Sequence, residues 1–205
     1  MGKYNADYFI HGLETGKSLY SNYRWIPELT IPLAYKIIKA LDIKEEDRIL
    51  DYGCAMGYLV KAFRLLGHNA YGYDISEYAL DNVPVDIQEY VYRGTKWDMR
   101  KWDWVICKDV LEHVPQNQLS GLLGVFKKCA RAILVIVPLA DNGKTYNEPL
   151  YEMDETHIIR GSLVWWTNEF HANFLHIEFA GYELNGIKNN WRKHEHSNGF
   201  FILKT

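Results

Sequence analysis

This chain of 205 residues is short of three things: cysteine, long apolar runs and net charge. Its three cysteines, Cys54, Cys107 and Cys129, are odd in number and lack the paired spacing of a metal site, so buried reduced thiols are expected. No stretch approaches eighteen uninterrupted apolar residues, so no bilayer span is expected. The opening Met1-Gly-Lys-Tyr-Asn-Ala-Asp-Tyr8 lacks the apolar core of a secretory signal, and a cytoplasmic location is the expectation. The net charge is −3, from 23 basic and 26 acidic residues, which gives no global field for nucleic acid or an anionic membrane. Lys188, Arg192, Lys193 and His194 form only a modest basic cluster. No internal repeat, low-complexity segment or three-glycine Gly-x-Gly-x-x-Gly turn is present, and the missing turn disfavours a dinucleotide oxidoreductase.

What is present is concentrated between residues 49 and 74. Ile49-Leu50 ends in Asp51, small residues follow at Gly53, Ala55 and Gly57, and Tyr58-Leu-Val-Lys-Ala-Phe-Arg-Leu-Leu66 reads as a helix. A strand, a tight turn and a helix bring backbone N–H groups to a ligand at the helix N-terminus. A second strand, Ala70-Tyr-Gly-Tyr73, ends at Asp74, where a carboxylate can accept both ribose hydroxyl protons. Asp51 sits where it would repel a pyrophosphate and attract an ammonium group. A ligand with an amine and an adenosine fits that pair of acids.

The turn Asp51-x-Gly53-x-Ala55-x-Gly57 resembles the first motif of class I S-adenosylmethionine-dependent methyltransferases, Asp/Glu-x-Gly-x-Gly-x-Gly, with Ala55 for the middle glycine. The resemblance extends to Asp74, to Trp102-Asp-Trp-Val-Ile-Cys-Lys-Asp-Val-Leu-Glu-His-Val114 and to Ala132-Ile-Leu-Val-Ile-Val-Pro138. Gly181-Tyr-Glu-Leu184 with Gly199-Phe-Phe-Ile-Leu203 resembles the closing strand pair. It covers roughly residues 28–205, and four motifs in family order are more specific than any one. The implied fold is α/β: a three-layer Rossmann-like, seven-stranded, mostly parallel sheet with an antiparallel C-terminal strand. The implied cofactor is S-adenosylmethionine, with Asp51, Gly53, Cys54 and Gly57 at its methionine end and Asp74 with Ile75 at the ribose. Asp98 and Met99 are expected to flank adenine, and Lys108 to contribute near the sulfonium.

Beside these motifs, helices are expected over Leu29–Leu41, Ser76–Asn82, Asn117–Ala130 and Leu163–Ala180, and a short third strand near Glu89–Tyr92. Residues 28–205 read as one methyltransferase domain. Residues 1–27 form an aromatic arm, with Tyr4, Tyr8, Phe9, Tyr20, Tyr23 and Trp25, that either staples to the domain or closes over the cofactor as a lid hinged at Gly12 and Gly16.

Two histidines stand out among eight. His157, in Tyr151-Glu-Met-Asp154-Glu-Thr-His157, follows a turn-rich loop on the acceptor side, and an imidazole there suits a general base with Asp154 setting its tautomer. The pattern resembles small-molecule and sugar methyltransferases from surface-glycan gene clusters; its bland reading is a helix-entry acid and a surface histidine. His113 lies in Asp109-Val-Leu-Glu112-His113, which reads first as a structural part of the strand-four motif. The same run resembles the metal site of ubiquinone-pathway O-methyltransferases and of small-RNA 3′-end 2′-O-methyltransferases, which carry Glu where this chain has Asp109. With that shorter arm, Mg²⁺ or Mn²⁺ bound by Asp109, Glu112 and His113 is not expected.

O-methylation of a small-molecule or saccharide hydroxyl is therefore the expected activity, with His157, Asp154 and His113 as candidate catalytic residues. The Lys108-Asp-Val-Leu111 run is not the Pro-Pro-Tyr-type tetrapeptide of DNA amino-methyltransferases. A catalytically silent methyltransferase-like binding subunit and a metal-dependent nucleic-acid 2′-O-methyltransferase are the alternatives.

Overall fold

A computed structural model of the chain describes residues 2–93, 101–173, 175–189 and 194–205. A seven-stranded sheet runs in the order β3-β2-β1-β4-β5-β7-β6. Its strands are β1 (Arg48–Tyr52), β2 (Asn69–Tyr73), β3 (Val91–Tyr92), β4 (Trp102–Lys108), β5 (Ala130–Pro138), β6 (His176–Gly181) and β7 (Asn198–Lys204). The first five pair in parallel, while β7 runs antiparallel to both β5 and β6. The expected sheet is thus the observed one.

Period-two burial builds three layers. In β5, Ile133, Val135 and Val137 face one core, and Ala132, Leu134 and Ile136 face the other. The first core is closed by Leu119, Leu123 and Phe126 of α6 (Gln116–Cys129) and by Trp166 and Phe170 of α7 (Leu163–Ala172). The second is closed by Ala34, Ile37 and Ile38 of α3 (Pro27–Leu41) and by Val60 and Phe63 of α4 (Tyr58–Leu65). All three cysteines are buried and free. No helix among the described residues is long and apolar enough to cross a membrane.

One expected element is corrected. The helix from Leu163 stops at Ala172, and His176–Gly181 is strand β6, so the closing pair is 176–181 with 198–204 rather than Gly181–Leu184 with Gly199–Leu203. Exposed and half-buried residues alternate along β6, because an edge strand packs on one face only. That weak alternation is easily read as the continuation of an aromatic helix. The short helix near Ser76 is present as α5 (Glu77–Asp81), with the Ser76 hydroxyl capping the Ala79 N–H at 3.0 Å. The third strand shrinks to two residues after a 3-10 turn at Val85–Tyr90.

Strand order reverses between β1 and β4, the position where open α/β sheets bind ligands beyond their carboxyl ends. Register fixes what arrives there. Asp51 pairs with Gly72 on one side and Ile106 on the other, Asp74 follows the last residue of β2, and Lys108 ends β4.

Candidate functional site

The cofactor half is held together by Asp74. Its Oδ2 accepts the Ala55 N–H at 2.7 Å and its Oδ1 accepts the Ser76 N–H at 2.7 Å. One carboxylate therefore ties the glycine turn to the start of α5, and burial raises its pKa. The Gly53 and Cys54 N–H groups donate to the Tyr73 carbonyl at 2.8 and 3.0 Å, so they shape the turn and are not free for a ligand. Gly53 has φ +81, and a Cβ there would lie 2.4 Å from Val110 Cγ2. Only glycine fits.

Asp51 is almost fully buried at the end of β1, and burial pushes its carboxyl up to about 7, against the pull of the Lys108 ammonium. Ile75 is 67% exposed beside Asp74, an apolar face open to a ligand. The expected role of Cys54 changes: its side chain belongs to the core and approaches Gly72, where an added Cβ would meet Sγ at 2.6 Å. Only its backbone belongs to the turn. Asp98 and Met99 lie outside the described residues.

The arm lies across this half. Tyr8 and Phe9 of α1 (Ala6–Phe9) cluster with Met56 of the turn and Ala79 of α5, with Tyr4, Tyr20, Tyr23, Tyr58 and Tyr78 packed around them. The Ser76 hydroxyl donates to the Tyr4 carbonyl at 2.7 Å. Gly12, in α2 (Gly12–Thr15), is a close-approach glycine, since a Cβ there would lie 2.1 Å from Ser18 Oγ. Gly16, at φ +69, is the left-handed cap of α2. Close packing at Gly12 thus replaces the expected hinge there.

The acceptor half is built by two loops. Glu112 and His113 lie in a 3-10 turn (Leu111–His113) just beyond β4. The Glu112 carbonyl accepts the N–H groups of Ile158 at 2.9 Å and Ile159 at 3.0 Å, which staples the loop after β5 against this turn and brings His157 beside Glu112. The two imidazole rings are 4.7 Å apart, and His157 Nε2 lies 3.9 Å from both Glu112 Oε1 and Asp154 Oδ2.

Hydrogen bonds set the tautomers. His157 Nδ1 faces the Tyr151 carbonyl at 2.9 Å, so it carries the proton and Nε2 keeps a lone pair. Tyr151, not Asp154, fixes this ring. Asp154 acts on the other histidine instead. The Thr156 hydroxyl donates to Asp154 Oδ1 at 2.5 Å, so His113 Nδ1, 2.8 Å from Thr156 Oγ1, is the donor in that contact. The Tyr8 hydroxyl completes the chain by donating to Asp154 Oδ2 at 2.7 Å. Burial, then the neighbouring His157, lowers the His113 pKa to about 4, and burial lowers that of His157. Both rings are neutral.

Glu112 is fully buried, and neither carboxyl oxygen has a hydrogen-bond partner among the described residues. Burial, reinforced by the charge of Asp109, raises its pKa well above the usual range.

Asp109 departs from its expected place as a ligand alongside Glu112 and His113. Its carboxylate is taken by two ammonium groups, Lys108 Nζ on Oδ2 and Lys188 Nζ on Oδ1, each at 2.6 Å. Burial would raise its pKa, but the two cations prevail and hold it below the carboxylate range. Lys188 also donates to Asn198 Oδ1 at 3.0 Å, so it belongs to a buried network. Arg192 and Lys193 lie outside the described residues, and His194 is exposed.

Sequence reasoning missed Lys188, Tyr8, Thr156 and Tyr151. The one signal for Lys188 is the Asn185-Gly186 turn two residues before it, which marks a bend able to redirect a side chain. The cofactor and acceptor candidates lie near one another: Asp74, Glu112 and Asp154 all act on the Tyr4 phenol, and Lys108, which binds Asp109, also acts on Asp51.

The same architecture occurs in solved methyltransferases. The glycopeptide N-methyltransferase MtfA complexed with sinefungin superposes with a TM-score of 0.62 at 9% identity over 85% of each chain. Magnesium protoporphyrin IX methyltransferase (ChlM) from Synechocystis gives 0.61 at 19% identity over 86% of this chain and 82% of that one. A SAM-dependent methyltransferase from Archaeoglobus fulgidus gives 0.60 at 17% identity over 85% and 93%. These likenesses define the class: a Rossmann-like methyltransferase fold. No curated protein sequence matches the chain. Residues 32–179 match the family described as methyltransferase domain, and the chain belongs to that family of enzymes.

Proposed function

We propose that the protein transfers the methyl group of S-adenosylmethionine to a hydroxyl of a small-molecule or saccharide acceptor. The cofactor reading is supported by family membership, by the carboxylate of Asp74 directly after β2, which can accept ribose hydroxyl protons, and by the buried carboxyl of Asp51, which suits an ammonium group. A sulfonium methyl carbon is already electrophilic, so the protein's work is alignment, exclusion of water and removal of the acceptor's proton.

The observation that carries the choice of a hydroxyl is the composition of the acceptor half. Glu112 has both oxygens unpartnered, and His157 turns a lone pair toward it. An imidazole lone pair beside a buried carboxyl suits an acceptor molecule that brings a proton to give up. His157 Nε2 is the atom that takes this proton, with Tyr151 fixing the ring, while Asp154 holds His113 through Thr156. The arm covers the turn and keeps water from the sulfonium, consistent with a lid.

The test is direct. S-adenosylhomocysteine should bind at micromolar concentration in a calorimeter. Methyl-labelled S-adenosylmethionine, incubated with a panel of hydroxyl-bearing small molecules and saccharides, should label oxygen in at least one. Absence of cofactor binding overturns the cofactor reading, and labelling confined to nitrogen or carbon overturns the hydroxyl.

A further inference from the structure

We infer that Lys108, with the Tyr20 phenol beside it, binds an anionic group of the acceptor, so that the molecule methylated is a hydroxyl compound carrying a carboxylate or a phosphate. This rests on the methyltransferase reading and narrows its acceptor class.

The centre holds more donors than it uses. Two ammonium groups converge on one carboxylate, Lys108 Nζ on Asp109 Oδ2 and Lys188 Nζ on Asp109 Oδ1, which leaves one positive charge unmatched there. Glu112 does not match it, since neither of its oxygens takes a hydrogen bond from a described lysine. The two lysines differ in what they have left. An ammonium carries three N–H donors. Lys188 spends them on Asp109, on Asn198 Oδ1 at 3.0 Å and on the Tyr151 hydroxyl at 3.4 Å. Lys108 makes only its bond to Asp109 among the described residues, so two of its N–H groups are unused. Its side chain is 25% exposed, against 8% for Lys188. Lys188 is structural, and Lys108 is available.

Tyr20 adds a neutral donor. Its phenol feels the charges of Lys108, Asp109, Asp154 and Glu112, which puts it at the acceptor half, and burial pushes its pKa up to about 12, so it keeps its proton. The hydroxyl bonds no described residue. An ammonium with spare donors beside a free phenol suits an oxyanion, whose hydrogen bonds to a cation are the strong ones.

Two anions could arrive here: the carboxylate at the methionine end of the cofactor, or a group on the acceptor. The contacts favour the second. Lys108 acts on Asp51 through its charge but gives it no hydrogen bond, whereas it is bonded to Asp109. Tyr20 acts on Asp154 and Glu112, the same two carboxyl groups that lie 3.9 Å from His157 Nε2. One small molecule can therefore present an oxyanion to Lys108 and Tyr20 and a hydroxyl to His157. The ion pair fixes the molecule's orientation, and the imidazole then meets one chosen hydroxyl.

The experiment uses the full chain saturated with S-adenosylhomocysteine and titrated separately with inorganic phosphate and with acetate, followed by the amide signals of Tyr20 and Asp109. Wild type should bind one of the two saturably at about millimolar concentration, and the one that binds tells phosphate from carboxylate. Lys108→Met should weaken that binding at least about tenfold, and Tyr20→Phe about two- to tenfold. Asp109 keeps Lys188 in the first variant and the second keeps its ring, so both should fold. In the labelling panel, hydroxyl compounds bearing the favoured anion should be methylated at least about tenfold faster than their neutral counterparts. No saturable anion binding by the loaded protein overturns the inference, as does binding unchanged in both variants or labelling of neutral compounds alone. Anion binding that S-adenosylhomocysteine abolishes gives Lys108 to the cofactor's own carboxylate and also overturns it. Failure of S-adenosylhomocysteine to bind at all overturns the methyltransferase reading instead.

Discussion

Lowering the pH from about 8 to about 6 should weaken S-adenosylhomocysteine binding roughly tenfold, because the ligand's ammonium group needs Asp51 ionised. The Asp51 carboxyl sits near 7 in the free protein, raised chiefly by burial, pulled down by Lys108 and pushed up by Asp74. An ammonium group beside it stabilises the charged form, so the pKa falls in the complex. The sign follows: the affinity due to this pair is fully present above about pH 7 and is lost as the pH falls through that value. At about pH 8 roughly ten in eleven molecules carry the carboxylate, and at about pH 6 roughly one in eleven, a ratio near ten, or about 1.4 kcal/mol. Calorimetry in two buffers of different ionisation enthalpy reads both quantities, since binding near pH 6 should release close to one proton. Asp51→Asn should bind more weakly and show a flat profile over this range. Wild-type affinity independent of pH, with no proton released, would refute the pairing of Asp51 with the ammonium group.

Three further outcomes are expected. Asp74→Asn should lower S-adenosylhomocysteine affinity by about thirty- to a hundredfold, or about 2–3 kcal/mol, because it removes a charge-assisted ribose acceptor. Calorimetry giving wild-type affinity would remove Asp74 from the ribose site. Gly53→Ala should cost about 1–3 kcal/mol of stability, since it forces a left-handed backbone and a Val110 clash, and a wild-type urea midpoint would contradict this. Tyr8→Phe keeps the ring in the aromatic cluster but takes a donor from Asp154, so the ¹⁵N signals of the His113 ring should shift while the thermal midpoint moves by only a few degrees. Unshifted His113 signals would show that Tyr8 does not act on that network.

The sheet and the cofactor half were legible because local rules govern both. Strand β1, the turn and α4 are contiguous, Asp74 sits directly after its strand, and β5 is a continuous apolar run buried on both faces. The acceptor half was legible only in its parts. His113 and His157 could be named, but their partners Thr156, Tyr151 and Tyr8 are fixed by loop packing, which no spacing encodes. The edge strand β6 was lost for a different reason. A strand packed on one face has a weak alternating signal, and the preceding aromatic helix overwhelms it. Lys188 was read only as part of a modest basic cluster, whereas its ammonium is buried against Asp109.

That pair also explains the charge of the centre. Asp109 and Lys188 both adopt left-handed backbone, at φ 55 and φ 59, a conformation that costs a non-glycine residue about 1–2 kcal/mol. Their side chains meet 79 positions apart in sequence, at 2.6 Å. Strain at both ends of one buried ion pair persists only where the surroundings over-determine it. Its effect is to gather the two nearby ammonium groups, Lys108 and Lys188, onto Asp109. Glu112, three residues further on, is left with no cation on its oxygens among the described residues. A neutral pair between Glu112 and Lys188 would have filled the crevice with satisfied groups and closed it to chemistry. With Asp109 absorbing the lysines, the acceptor half keeps a carboxyl group and an imidazole lone pair that no described residue satisfies, which leaves both open to a partner from outside the chain.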